Sequence, residues 1–330
     1  MNQLFIQIKR KFIIFFISIF LGSCLGDRKE EKVTFPIWVI AGWGNASQSY
    51  DTTSWNTSTI QSSISFRGIT SGKTFGEFIA VGNNGLIYKS SDNGTNWDSK
   101  TSGTSNRLWE ISLINDVYIA VGVSGTILTS TDGESWNSSN DSGVTKTLRG
   151  VAFGNSKYVV GGFDGTVLIS NDSSSWNLQT APTSYDFFDV RFLNEKFIGV
   201  GENGFIMTST DGITWDNKTS GVSSKLKEIA YGNGTYVIVG DNNTILTSTD
   251  TNSWTKTDNG TTDEYLWGIV FGNNKFVVVG NEKTITSSNG ISWNQVGNVT
   301  GNSIAFSELK YSIDRYRWVP QIKADKITIP

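Results

Sequence analysis

The chain has 330 residues, among them 12 tryptophans, 35 glycines, a single cysteine and no histidine, and its formal charge is −3. The missing histidine excludes Ser-His-Asp and Cys-His nucleophiles and histidine-ligated zinc or copper, and the single Cys24 excludes an internal disulfide. No sustained basic stripe offers itself to nucleic acid, and the composition implies no cofactor and no metal.

At the N-terminus, Lys9, Arg10 and Lys11 precede an apolar run from Phe12 to Leu21, the layout of a secretory signal and too short for a membrane span of about 20 residues. Leu21-Gly22-Ser23-Cys24 then resembles a bacterial lipobox, which implies lipidation of Cys24 after removal of residues 1–23 and shifts the formal charge from −3 to −6. A plain signal peptide or a signal anchor with an incidental cysteine is the alternative. Leu25 stands where an Asp would imply retention at the inner membrane, so the resemblance points to the outer membrane of a bacterial envelope. Residues 24–34 then read as the lipidated Cys and a charged, solvated tether.

From residue 35 the chain is repetitive. Seven tryptophans, Trp55, Trp97, Trp136, Trp176, Trp215, Trp254 and Trp293, follow one another at intervals of 42, 39, 40, 39, 39 and 39 residues. Each closes the same short phrase, such as Ser-Thr-Asp-Gly-Ile-Thr-Trp ending at Trp215. A period near 40 fits propeller blades and some helical arrays, and the content of the unit decides between them. In the unit from Leu226 to Trp254, the runs Ile229 to Tyr231, Tyr236 to Val239 and Thr244 to Thr247 are β-branched and aromatic and are split by Gly, Asn and Asp. These are strand and turn signals, and a fourth strand starts at each Trp. Four antiparallel strands per unit predict an all-β fold, a seven-bladed β-propeller. At the turn before each Trp, the acidic or amide residue (Asp51, Asp92, Asp132, Asp172, Asp211, Asp250 and Asn289) is expected to accept backbone N–H groups, with a following Gly at positive φ. The Trp is expected to turn inward and be buried, at an upper figure of roughly 5 kcal/mol each.

The pattern S-x-D-x-G-x-x-W, complete at Ser90 to Trp97, resembles the Asp-box or BNR repeat of sialidase-like propellers. The longer phrase at Val121 to Trp136 and Val200 to Trp215 is similar to the photosystem II stability and assembly factor group and its bacterial relatives. The resemblance implies a propeller over about residues 36–306, with these hairpins opposite the working face. Asn289 replaces Asp in the last unit, Ser173 and Thr251 replace Gly, and the first unit has no Gly. Sialidases would also require an arginine triad. Phe66-Arg67-Gly68-Ile69 only partly resembles their Phe-Arg-Ile-Pro motif, and Arg149 and Arg191 occupy different repeat positions, Arg191 aligning with Ala152. Each Trp lies 11 or 12 residues before the next inner strand, so no long catalytic insertion is present and no catalytic residue is assigned.

The first unit lacks an inner strand, since Ile37 to Gly42 matches the second strand of the others. Gly301 to Tyr311 aligns with Leu266 to Phe276, so the tail is expected to supply the missing strand at Ile304 to Phe306 and close the ring. Tyr311 to Ile313 competes with Ile37 to Gly42 for the second-strand position, and an extra edge strand or a cap over 312–330 stays open. Where the inner strands begin, the aligned positions read Arg67, Trp109, Arg149, Phe188, Lys227 and Trp267, with Asn302 from the tail. The next read Gly68, Glu110, Gly150, Asp189, Glu228, Gly268 and Ser303. Such variation on a constant scaffold is what a channel mouth used for binding would show. Arg107, Tyr185, Asp186, Asp263, Glu264 and Tyr265 would extend it. The bland alternative has these side chains packing between blades or pairing locally, as Arg149 with Asp189 or Lys227 with Glu228. The sequence therefore predicts a monomeric, lipid-anchored, non-catalytic scaffold that binds an envelope protein through the mouth. A carbohydrate-binding or sialidase-like glycosidase propeller is the alternative.

Overall fold

The structure, a computed structural model, describes residues 31–138, 142–180, 182–257 and 265–313. The signal segment, Cys24, Asp263 and Glu264 lie outside the described residues. The chain divides into two units, Phe35–Leu309 and one made of Met1–Thr34 with Lys310–Pro330, of which only the ends of two strands are described. Among the described residues no helix is long and apolar enough to cross a membrane.

Seven four-stranded antiparallel sheets follow one another, each with its strands in chain order except the first. Blade 1 has the order Ser303–Ile313, Glu31–Ala41, Asn45–Ser49, Asn56–Thr59, so the C-terminal strand is the inner strand beside the N-terminal one. Blades 2 to 7 begin with the inner strands Phe66–Ser71, Leu108–Ile114, Leu148–Gly154, Phe187–Leu193, Leu226–Gly232 and Leu266–Gly272. At the chain ends one open alternative is resolved and one expectation is corrected. Tyr311 to Ile313 prolong the inner strand of blade 1, and Glu31–Ala41 alone holds the second position. The stretch Lys32-Val33-Thr34, with two β-branched residues, belongs to that second strand, so residues 31–34 of the expected tether are strand.

Each sheet buries both faces against its neighbours, and the apolar clusters therefore straddle blades. Ile119, Val121 and Ile127 of blade 3 pack with Leu148, Val151 and Val160 of blade 4. Ring closure uses the same device, with Trp38 and Ile40 of blade 1 against Val277 and Val279 of blade 7. Trp38 is 0% exposed, and its ring centroid lies 5.1 Å from that of Phe306.

The hairpins before the repeat tryptophans have a constant design. In the fifth blade Ser209 Oγ donates to Asp211 Oδ1 at 3.0 Å, and the N–H groups of Ile213 and Thr214 donate to the same oxygen at 2.8 Å. Asn289 does this with its amide oxygen at 2.9 Å, because the turn needs an acceptor and not a charge. Thr52, Ser173 and Thr251 adopt the left-handed conformation that Gly takes elsewhere, with φ of 71°, 62° and 68°. The tryptophans are less buried than the sequence suggests. Only Trp176 is buried, at 7% exposure, and the other six are half-buried. They follow the outer edge of the blade, where one ring face caps an inter-blade cluster, and in Trp55, Trp97, Trp215, Trp254 and Trp293 the Nε1 donates to the turn, as Trp215 does to the Gly212 carbonyl at 3.0 Å.

Candidate functional site at the channel mouth

The antiparallel order puts the loops that enter each inner strand, and the loops between second and third strands, on one face. There each second-to-third loop docks on the loop entering the next blade, as when the Gly125 N–H donates to the Lys146 carbonyl at 2.8 Å and the Gly204 N–H to the Ser224 carbonyl at 2.8 Å. Gly125 and Gly204 have φ of 67° and 70°. A Cβ on either would meet a backbone oxygen of that entering loop at 2.0 and 1.9 Å, so the contact demands glycine.

The first residues of all six inner strands from blade 2 to blade 7 contain a register shift, between Phe66 and Gly68, Leu108 and Glu110, Leu148 and Gly150, Phe187 and Asp189, Leu226 and Glu228, and Leu266 and Gly268. The residue left over in each bulge is Arg67, Trp109, Arg149, Phe188, Lys227 or Trp267. A bulge re-aims the side chain of its extra residue. Here the six repeated bulges bring cations and aromatics to one mouth in strict alternation around the ring.

The alternation is electrostatically coherent, because a ring face attracts a cation. Arg149 lies 3.9 Å from the Trp109 ring centroid, with Arg107 at 4.8 Å and Arg67 at 5.2 Å from the same ring. Arg149 also lies 5.1 Å from Phe188, and Lys227 lies 4.7 Å from Phe188 and 4.9 Å from Trp267. Residues of the second-to-third loops brace the ring: Asn83 accepts from Arg67 Nε at 3.3 Å, Asp241 pairs with Lys227 at 3.2 Å, and Asn281 accepts from Trp267 Nε1 at 2.6 Å. Burial holds the pKa of Arg67, Arg149 and Lys227 below the usual range, that of Arg149 at about 10, with neighbouring cations adding to the effect. Three buried donors of the mouth, Arg107 Nε, Trp109 Nε1 and Arg149 Nε, have no acceptor.

One residue further along the inner strands lies an acidic layer. Glu110, Asp189 and Glu228 converge on the guanidinium of Arg191, at 2.8, 3.1 and 2.7 Å. Asp189 also accepts the Ile229 N–H at 3.2 Å and Glu228 the Ile269 N–H at 2.9 Å, which ties each acid to the next blade. Space for the cluster comes from the small residues at the same level of the other four blades, Gly68, Gly150, Gly268 and Ser303. At Gly150 a Cβ would meet the Val190 nitrogen at 2.3 Å. Burial pushes the Glu110 and Glu228 carboxyls up, to about 7 and about 8, and raises Asp189 as well, while the three acids drive Arg191 further above its ordinary range. Among the described residues no group of three acidic, His or Cys side chains is placed to hold a metal.

All nine residues predicted for the mouth line one cavity, joined by Arg191, Asn302 and Ser303. Its free volume is about 60 Å³, room for a few waters but not for a larger molecule. Of the extending residues, Arg107 lies over Trp109, Tyr265 stacks on Trp267 at 5.7 Å, and Asp186 accepts the Asp164 N–H at 2.9 Å. Tyr185 stands apart at the rim, 6.3 Å from Phe205. The local ion pairs expected for the bland reading are corrected: Asp189 pairs with Arg191, not Arg149, and Lys227 with Asp241, not Glu228. Sequence reasoning set Arg191 aside because it aligns with Ala152. That mismatch was itself the signal, since Ser112, Ala230 and Val270 at the same repeat position are small or apolar too. It also missed Trp43, which is 65% exposed on the mouth side of blade 1 and bridges to Ser65.

No protein-family model and no curated protein sequence matches the chain. Solved structures do. YCF48 bound to a D1 peptide superposes with a TM-score of 0.60 at 16% identity, covering 78% of this chain and 94% of that one. YCF48 from Cyanidioschyzon merolae gives 0.58 at 16% identity, covering 77% and 96%. The WD40 propeller domain of Doa1 gives 0.56 at 15% identity, covering 72% and 84%. At these identities the likeness establishes the propeller fold.

Proposed function

We propose that this protein is a non-catalytic binding scaffold that holds a protein partner across the channel mouth, engaging an anionic group of that partner with Arg149, Arg67 and Arg107. The observation that carries the reading is the ring of alternating cations and aromatics at the mouth, with Arg107 and Arg149 lying 4.8 and 3.9 Å from the Trp109 ring and Arg107 Nε, Trp109 Nε1 and Arg149 Nε left without a protein acceptor. Buried donors are ordinarily paired, and an interface that supplies the acceptors gains those hydrogen bonds without first breaking protein ones. Arg and Trp are also the side chains that most often anchor protein interfaces. The likeness to a propeller bound to a peptide supports a protein partner.

The proposal includes lipidation at Cys24 and residence in a bacterial cell envelope. The second strand of blade 1 runs toward the mouth, so the chain enters the ring from the opposite face. Labelling with an alkyne palmitate tests the anchor, with Cys24→Ala expected to abolish incorporation.

Crosslinked capture from the native envelope tests the binding. A protein retained by wild type and lost with the Arg67→Ala/Trp109→Ala/Arg149→Ala variant is the expected result. Binding to a glycan array that those substitutions abolish, with protein capture intact, would transfer the mouth to the carbohydrate reading.

A further inference from the structure

The acidic layer under the mouth holds three carboxylates and one guanidinium, so full ionisation leaves it with two uncompensated negative charges. Glu110, Asp189 and Glu228 each follow a mouth residue directly in sequence, Trp109, Phe188 and Lys227, so this charge lies immediately beneath the cations that face a ligand. Building on the mouth reading above, we propose that the mouth is a proton-linked anion site: it takes an anionic group of the partner together with a proton, and the proton goes to the carboxylates around Arg191.

Every element around the layer contributes to this behaviour. Blade 4 supplies Arg149, whose charge favours ionised Glu110 and is itself favoured by Glu110, Asp186 and Asp189. Blade 2 supplies Arg67, which with Arg107 opposes additional positive charge at the mouth. Blade 6 supplies Lys227, already committed to Asp241 and close to Lys225. Blades 6 and 7 offer the Ile229 and Ile269 N–H groups to Asp189 and Glu228, and blade 1 offers only the neutral Asn302 and Ser303. Arg191 is therefore the only cation in direct contact with the acids among the described residues, and it touches all three. When Arg149 engages an incoming anion, its support for ionised Glu110 is offset by a new negative charge nearby. The carboxylates then gain a proton from solvent, and fewer protons bound beforehand mean weaker capture. Burial has already brought Glu110 and Glu228 to about 7 and about 8, so the exchange falls near neutral pH.

The probe is pyrenetetrasulfonate, an aromatic polyanion whose own charge does not change between about pH 6 and about pH 8.5. Calorimetric titration of the folded protein is expected to show roughly tenfold tighter binding at the lower pH, the size set by like charges less than 10 Å apart at an effective dielectric near 20. In two buffers of different ionisation enthalpy, wild type is expected to take up protons on binding at neutral pH. Glu110→Gln/Glu228→Gln, which keeps the shape and removes the charges, is expected to bind at pH 8.5 about as tightly as wild type does at pH 6. Binding that is abolished by Arg149→Ala but has the same affinity at both pH values and no proton uptake would overturn the proton linkage and leave the mouth reading standing. No Arg149-dependent binding at either pH would overturn both. The wild-type proton uptake decides the question even if the Gln variant fails to fold.

Discussion

The guanidinium of Arg149 lies 3.9 Å from the centroid of the Trp109 indole, across the junction of blades 4 and 3, and neither the Arg149 Nε nor the Trp109 Nε1 has an acceptor. The pair thus keeps two N–H donors that no group of the protein accepts, which fits the proposed role of the mouth in binding. Arg149→Ala should therefore weaken partner capture by roughly tenfold or more while changing stability by no more than about 1 kcal/mol, since a cation–π contact of about that size is lost along with a desolvated charge. Paired affinity measurements and urea melts check both halves.

Arg191 should behave in the opposite way. Arg191→Met leaves three buried carboxylates without their cation and should cost roughly 3–5 kcal/mol near pH 8. Because the orphaned acids can then take protons, the loss should shrink at about pH 5. Urea melts at the two pH values give the comparison, and an equal loss at both would contradict the charge assignment.

For the wild type, the sign of the pH dependence follows from the folded-state shifts. Glu110 and Glu228 move up from 4.5 to about 7 and about 8, so the folded state binds more protons than the unfolded state across that interval and stability falls as pH rises through it. Asp51 and Asp132 move down from 3.8 to about 2, held by backbone N–H groups of their turns. Their contribution is present above pH 3.8 and is lost as pH falls toward 2. Melting temperature should therefore peak in the mildly acidic range and decline on both sides, which differential scanning across pH measures directly.

At Thr251 a β-branched residue occupies a turn position with φ of 68°, and its buried hydroxyl has no partner. Thr251→Gly should stabilise by about 1 kcal/mol, because relief of the left-handed conformation and of an unpaired hydroxyl outweighs the small volume lost. The reverse change in blade 5, Gly212→Thr, should destabilise, since a Cβ there would meet Val159 Cγ2 at 2.6 Å. Thermal melts of the two variants should move in opposite directions.

Among the tryptophans, Trp38 at the closure of the ring should matter most to stability. It is 0% exposed, whereas Trp109 is half-buried at the mouth. Trp38→Ala should cost roughly 4–5 kcal/mol and Trp109→Ala no more than about 2 kcal/mol. Similar losses in urea melts would mean that Trp109 is a packing residue first.

The fold was legible because a ring imposes one environment seven times, and seven Ser-x-Asp or Ser-x-Asn phrases ending in Trp report it. The mouth was legible for the same reason in reverse: Arg67, Trp109, Arg149, Phe188, Lys227 and Trp267 differ where their neighbours Ile69, Ile111, Val151, Val190, Ile229 and Ile269 do not. Pairing across the channel was not legible. Arg191 reaches Glu110 over an intervening blade, and a repeat alignment compares equivalent positions, not positions that meet. The degree of Trp burial was hidden because the phrase fixes the turn, while exposure depends on how far the neighbouring blade extends over the ring.

The strand pairing of blade 1 also has a consequence during synthesis. Its inner strand, Ser303–Ile313, is the last strand of the ring in chain order and its partner Glu31–Ala41 the first, so every other strand of the ring must be made before the two can meet. Until then the nascent chain exposes the Trp38 side of its first strand and the open flank of blade 7. A product terminated before Ser303 keeps both surfaces exposed to chaperones and proteases. Closure thus ties the burial of both surfaces to synthesis of the chain through the end of the ring.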